Sequence, residues 1–160
     1  MKKIDHHFTI EEYQLQELNQ EEQSLVQKAK DATALSHSPY SRFRVGCAIL
    51  LENGETVLGA NQENAAYPVC LCAEGVALAN AAANFNKVSI VSMAITIATE
   101  HGKMLDPVAP CGLCRQSILE YENRQNKNIS LYLKGEGEKI YKVQSIKDLL
   151  PLNFSDKALL

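Results

Sequence analysis

Cys72, Glu74, Cys111 and Cys114 supply the residue types of a catalytic metal centre, three thiols and a carboxylate, within two short stretches of a 160-residue chain. Thiolates are soft ligands that suit Zn2+, and two of them three residues apart in the first turn of a helix face the same way and can grip one ion. Three sulfur ligands leave a fourth tetrahedral position for water, which marks a catalytic rather than a structural site. Glu74 follows Cys72 by two residues, so a helix that brings the thiol to the metal also keeps the carboxylate beside the open position. There it can take a proton from water whose pKa the metal lowers to about 7. One Zn2+ per subunit is the cofactor this chemistry requires.

Two other readings fit parts of the set. Cys111-x-x-Cys114 alone matches a redox pair of the thioredoxin-like kind, but leaves Cys72 and Glu74 without a task. Cys70 as a fourth ligand would close the site and make it structural; as an inert thiol near the pocket it leaves the site open. The five cysteines are an odd number, and the start, Met1 to Ile10, carries His and Asp where an export signal needs an apolar block. Metal or redox chemistry therefore outranks a disulfide framework, and a cytoplasmic setting is expected. Cys47 lies in the alternating run Phe43 to Leu51 and reads as a core thiol. His6, His7, His37 and His101 are not placed to complete the cysteine cluster and read as surface residues.

The elements that must position these groups follow from periodicity. Leu25, Val26, Ala29, Ala32 and Leu35 recur at helical spacing from Gln20, and the Ser-Pro-Tyr-Ser turn at 38–41 ends that helix. Phe43 to Leu51 and Glu55 to Ala60 read as strands joined through Asn53-Gly54, a hairpin signal. Residues 72–85, rich in Ala with no internal Pro, predict a buried helix starting at Cys72. Val88 to Ala98 is β-branched and apolar, as a strand covered on both faces would be. Pro110 opens a helix to about Asn123, with Cys111 and Cys114 in its first turn. Ile129 to Leu133 and Ile140 to Val143 read as strands, and Ser145 to Leu150 as a short terminal helix. The order predicts an α/β fold, a mixed five-stranded sheet between helical layers in a three-layer α-β-α sandwich.

At 46% hydrophobic content, 160 residues suffice for one core and are too few for two ordinary domains. A single domain over 20–160 is expected, with the polar, acidic 1–19 as an extension that wraps the surface or lies partly disordered. A net charge of −3 with no Lys/Arg run argues against nucleic acid as partner. No apolar stretch approaches the roughly 20 residues of a membrane span.

Cys72-Ala73-Glu74 and Pro110-Cys111-Gly112-Leu113-Cys114-Arg115-Gln116 resemble the established zinc signature of cytidine deaminases in its three-cysteine form. Three further segments resemble the family: Asn61-Gln62-Glu63-Asn64-Ala65-Ala66-Tyr67 its N-x-E-N-A-A-Y run, Pro39-Tyr40-Ser41-Arg42-Phe43 its P-Y-S-x-F run, and Leu149-Leu150-Pro151-Leu152-Asn153-Phe154 its L-L-P-x-x-F ending. Together they cover about residues 20–155.

The resemblance implies hydrolysis of cytidine or deoxycytidine to the uracil nucleoside and ammonia, as in pyrimidine salvage. Water attacks C4 while Glu74 carries its proton to N3 and then to the departing amine. It implies that Asn61 and Glu63 bind the ribose hydroxyls, that Phe43 lines the nucleoside pocket, and that backbone donors near Ala73 and Cys111 hold the base edge. It further implies a homotetramer with shared active sites, Phe154 packing on the base in a neighbouring subunit. A carboxylate at the sugar welcomes a 3′-hydroxyl and repels a 3′-phosphate, so Glu63 selects free nucleosides.

One position departs from the resemblance. Many three-cysteine members place an arginine directly after the glutamate, where it donates hydrogen bonds to the sulfurs; here the residue is Gly75. Three thiolates leave the centre with excess negative charge and a weaker Lewis acid, unless helix dipoles and Arg115 compensate. Two alternatives stay open: a deaminase of a modified aminopyrimidine nucleoside such as blasticidin S, whose enzyme lacks the intact segment seen at Asn61 to Tyr67, and a non-catalytic zinc-binding protein, in which Glu74 would be superfluous.

Overall fold

Alternation along a central strand decides the layering. The computed structural model describes residues 1–155 and Leu159. In β2 (Phe43–Leu51), Cys47, Ile49 and Leu51 enter one core cluster while Ala48 and Leu50 enter another, so successive side chains feed opposite faces of the sheet. The first cluster is closed by α2 (Ala73–Asn84) and α3 (Gly112–Gln125), through Ala77, Leu78, Ala81, Ile118 and Leu119. The second is closed by α1 (Gln20–Ala32), through Leu25, Val26 and Ala29. This is the expected three-layer α-β-α sandwich.

The sheet is mixed and has six strands rather than the expected five, in the order β1-β6-β5-β4-β2-β3. The strands read from the sequence are all present: β2, β3 (Thr56–Ala60), β4 (Ile90–Thr99), β5 (Ser130–Lys134) and β6 (Lys139–Val143). Only β4 and β5 run parallel, as the crossover through α3 between them demands. The additional strand is β1 (Glu11–Gln14), antiparallel to β6 from Glu11 opposite Lys142 to Gln14 opposite Lys139. Its Glu-Glu-Tyr-Gln sequence carries no apolar alternation, because an edge strand with one half-buried face needs little.

A polar knot ties β1, α1 and the sheet together. Glu22 Oε1 accepts from Tyr132 Oη at 2.5 Å and Lys142 Nζ at 2.9 Å, and the ammonium lies 5.2 Å from the Tyr132 ring centre and 5.9 Å from that of Tyr13. Partial burial pushes the Glu22 carboxyl up, but the hydrogen bonds from Tyr132, Lys142 and the Asn19 capping pair outweigh it and hold its pKa below the ordinary carboxylate value. A depressed folded-state pKa means that the knot stabilises fully above the unfolded carboxylate pKa of about 4.3 and fades as pH falls through the lower folded value. Glu22→Gln is expected to cost about 1–2 kcal/mol at pH 7 in urea melts. The gap to wild type should narrow below about pH 4.

Gly59 on β3 decides how near α2 comes to the sheet. A Cβ there would collide with Ala73 O and stand 2.5 Å from Ala77 N. The bare glycine lets the first turn of α2 settle directly on the strand, with Cys72 and Glu74 on its leading end.

Candidate metal centre

Two helix N-termini meet at one spot. Cys72 is the N-cap of α2 and Cys111 the N-cap of α3; neither uses its side chain to cap, so both thiols stand at the positive end of a helix dipole. Cys114 stands in the first turn of α3 and is 2% exposed. The three Sγ atoms lie within 4.8 Å of one another, with Cys72 to Cys111 at 3.9 Å and Cys111 to Cys114 at 3.6 Å. A tetrahedral ion with Zn–S bonds of about 2.3 Å sets its sulfurs about 3.8 Å apart, which both of these spacings match. Among the described residues this is the sole cluster of three or more metal-ligating side chains, and neither Cys70 nor any histidine belongs to it. The four-cysteine structural site is thereby set aside.

The thiols are unequal before a metal arrives. A hydrogen bond from Cys114 draws the Cys72 pKa down to about 6, against burial and the nearby Glu74 charge. Cys114 is raised because it keeps the shared proton. A coordinated dication removes that proton outright. Glu74 is 5% exposed, and burial pushes its carboxyl up.

The centre opens into a cavity of about 360 Å³, in the size range of small-molecule sites. Of the residues singled out from the sequence, Phe43, Asn61, Glu63, Cys72, Ala73, Glu74 and Cys111 line it, as does Cys70, a thiol near the pocket outside the metal cluster. Phe154 does not: it is 58% exposed, and its carbonyl accepts from Gln116 Nε2 at 3.0 Å. The apolar wall of Val45, Ile95, Ile97, Val108 and Ala109 went unremarked in the sequence. Its one signal is position, since the first three lie on β2 and β4 and the last two directly precede Pro110. Glu63 Oε2 accepts from Tyr40 N at 2.9 Å and Ser41 N at 3.2 Å, and the Ser41 hydroxyl, foremost among these donors, holds its pKa below the usual carboxylate range. Another cavity of about 270 Å³, lined by Phe85, Lys87, Tyr121 and Arg124, contains none of the thiols.

Gly75 is exposed, and a Cβ there meets nothing within 4 Å, so the position has room for a larger side chain. Arg115 donates from Nε to Pro110 O and from Nη1 to Leu149 O, each at 2.8 Å. Those bonds go to carbonyls, and Arg115 thus fixes the chain entering Cys111 while bringing a positive charge to the same turn. No helix among the described residues is long and apolar enough to cross a membrane.

Sulfurs at zinc spacing, with a buried acid beside them and no fourth protein ligand among the described residues, suit the activation of water and define a zinc-dependent hydrolase. Residues 19–128 match the family model described as the cytidine and deoxycytidylate deaminase zinc-binding region. A cytidine deaminase of Halalkalibacterium halodurans is 35% identical over 133 residues, 83% of this chain and 93% of its own length; one from Sporosarcina psychrophila is 36% identical over 137, 86% and 93%. The crystal structure of cytidine deaminase from Burkholderia pseudomallei superposes with a TM-score of 0.70 at 34% identity, covering 82% of this chain and 97% of that one. The chain belongs to this family, as a zinc-dependent cytidine deaminase of the small bacterial type with Cys72, Cys111 and Cys114 as its metal ligands.

Proposed function

We propose that the chain converts both cytidine and 2′-deoxycytidine to the uracil nucleosides and ammonia, with Glu74 moving the protons. The observation that carries this reading is the sharing of one cavity by the sulfur site, the Glu74 carboxylate, Asn61 and Glu63. Bound zinc supplies the Lewis acidity that makes water a nucleophile at neutral pH. Glu74 takes one proton from the attacking water and delivers it to N3 while the water oxygen bonds to C4 and the N3–C4 double bond becomes single; Glu74 then takes the remaining proton of that oxygen and passes it to the amino group, so that the C4–N bond breaks, C4=O forms and ammonia leaves. Backbone donors near Ala73 and Cys111 hold the base edge, and Phe43 with the aliphatic wall excludes bulk water.

At the sugar, Asn61 has limited freedom. Its Oδ1 accepts from Ser36 Oγ at 2.6 Å and Val45 N at 2.8 Å, and Nδ2 donates to Phe43 O at 2.9 Å, so a remaining N–H is what it offers a hydroxyl. Glu63 takes both backbone bonds on Oε2, which leaves Oε1 as the oxygen without a backbone donor to accept from the 3′-hydroxyl. Glu63→Ala is expected to raise KM for cytidine about tenfold to a hundredfold with kcat little changed, and to do far less to 3′-deoxycytidine. An unchanged KM for cytidine would remove Glu63 from the sugar site.

In this reading residues 20–160 form the deaminase domain, 1–19 are an extension that adds β1 to its sheet, and the free thiols suit a reducing cytoplasm. The chain assembles as a homotetramer in which Phe154 serves a neighbouring copy. Supporting this, Phe154 is outside its own cavity and exposed, and Tyr40, Tyr67, Val69, Leu71 and Leu113 are further large apolar side chains left exposed. The reading requires a four-chain mass by light scattering.

A further inference from the structure

Between the end of β4 and the ligand Cys111 runs a loop, Glu100–Pro110, whose residues 100–106 are all exposed. Its last part forms site wall, since Val108 and Ala109 line the cavity. Its end is fixed by the Arg115 bond to Pro110 O at 2.8 Å. Its first part is held from the turn between β5 and β6. Glu136 N donates to Met104 O at 2.8 Å and Gly137 N to Leu105 O at 3.1 Å, while the Glu136 carboxylate accepts from Met104 N at 2.9 Å and from Thr99 N at 3.4 Å. One side chain thus bridges the last residue of β4 and the middle of the loop. The approach is close: a Cβ on Gly137 would stand 2.5 Å from Leu105 O, and one on Gly135 2.7 Å from Met104 O. Lys134 Nζ braces the turn from within by donating to Gly137 O.

We infer that Glu136 is a positioning residue for deamination: by closing Thr99 onto Met104 it sets the path on which Val108 and Ala109 cross the nucleoside cavity. This rests on that cavity being the nucleoside site. The metal end of the loop is anchored separately, by Arg115 and by the start of α3, so Glu136 governs how well the substrate is held rather than whether zinc is.

The test compares wild type, Glu136→Ala, Glu136→Gln and Gly137→Ala as purified zinc proteins in steady-state cytidine assays. A parallel trypsin time course follows cleavage after Lys103 within the loop. Glu136→Ala is expected to raise KM about fivefold to twentyfold with kcat within about threefold of wild type, unchanged zinc content and faster cleavage at Lys103. Glu136→Gln keeps one acceptor, enough for Met104 N or Thr99 N but not for both, and should recover only part of the loss. Gly137→Ala, which pushes directly on Leu105, should reproduce the KM increase. Faster cleavage with unchanged KM in Glu136→Ala and Gly137→Ala would show that the clamp does not reach the cavity, and unchanged cleavage would show that there is no clamp; either overturns the inference. Failure of the cavity assignment is distinguishable, because Glu63→Ala would then also leave KM for cytidine unchanged.

Discussion

Glu74→Gln is expected to lower kcat on cytidine by about 10³-fold to 10⁴-fold, with one zinc per chain retained and KM little changed. Glutamine fills the same volume and keeps a hydrogen-bonding oxygen toward the water and base, so binding survives. It cannot accept a proton and pass it on, and two transfers in the proposed sequence depend on one group doing both. Loss of kcat without loss of affinity is the kinetic form of an interaction made in the transition state. Stability should move the other way. Glu74 is 5% exposed and its charge is disfavoured by burial, so the neutral isostere should raise the melting temperature slightly. Zinc analysis and thermal melts on the same preparation separate this outcome from trivial loss of metal or fold. Turnover within tenfold of wild type would remove Glu74 from the proton path.

The metal centre was legible in the sequence because its parts are local. Cys111 and Cys114 share one helical turn, Cys72 and Glu74 share another, and a thiol has few reasons to sit at a helix start other than a ligand. The central strands were legible for a similar reason: Phe43–Leu51 and Ile90–Thr99 are largely buried and written mostly in apolar residues. What escaped depends on partners distant in the chain. Glu11–Gln14 becomes a strand only because β6, more than a hundred residues later, offers an open edge and Lys142 a charge for Glu22 and a cation for two tyrosine rings. Val108 and Ala109 become cavity wall only because the Gly135–Gly137 turn holds the preceding loop. Neither carries a pattern of its own. Gly75 is a different case: its departure from the family's arginine is visible in the sequence, and the structure adds that Arg115, held by the Pro110 and Leu149 carbonyls, brings its charge to the first turn of the other helix, α3, which carries Cys114.

Glu122 is the acidic residue whose role the sequence concealed most fully, since in Glu-Tyr-Glu-Asn on a helix it reads as solvated surface. It is 1% exposed. Its Oε1 accepts from Ile129 N at 2.9 Å and Ile146 N at 3.0 Å, Oε2 accepts from Ser145 Oγ at 2.7 Å, and Lys147 Nζ stands 3.7 Å away. One carboxylate therefore pins three pieces of chain to α3: the entry to β5, the residue before the terminal 3-10 turn and the turn itself. Glu122→Leu matches the volume but strands two buried N–H groups and a hydroxyl, each costing about 1–3 kcal/mol. The expected loss is about 3–5 kcal/mol in urea unfolding, a large share of the roughly 5–15 kcal/mol that holds a domain together. Glu122→Gln keeps a carbonyl oxygen for Ile129 and Ile146 while turning an amide toward Ser145 and Lys147, so it should lose only about 1–2 kcal/mol. The ordering Leu worse than Gln worse than wild type follows from the hydrogen bonds and is opposite to what burial of charge alone predicts, since both variants discard the charge and leucine does so with the more apolar group. Equal stability of the leucine variant and wild type would mean that these N–H groups find other partners and that the carboxylate is a tolerated guest rather than the tie between α3 and the chain's last turns.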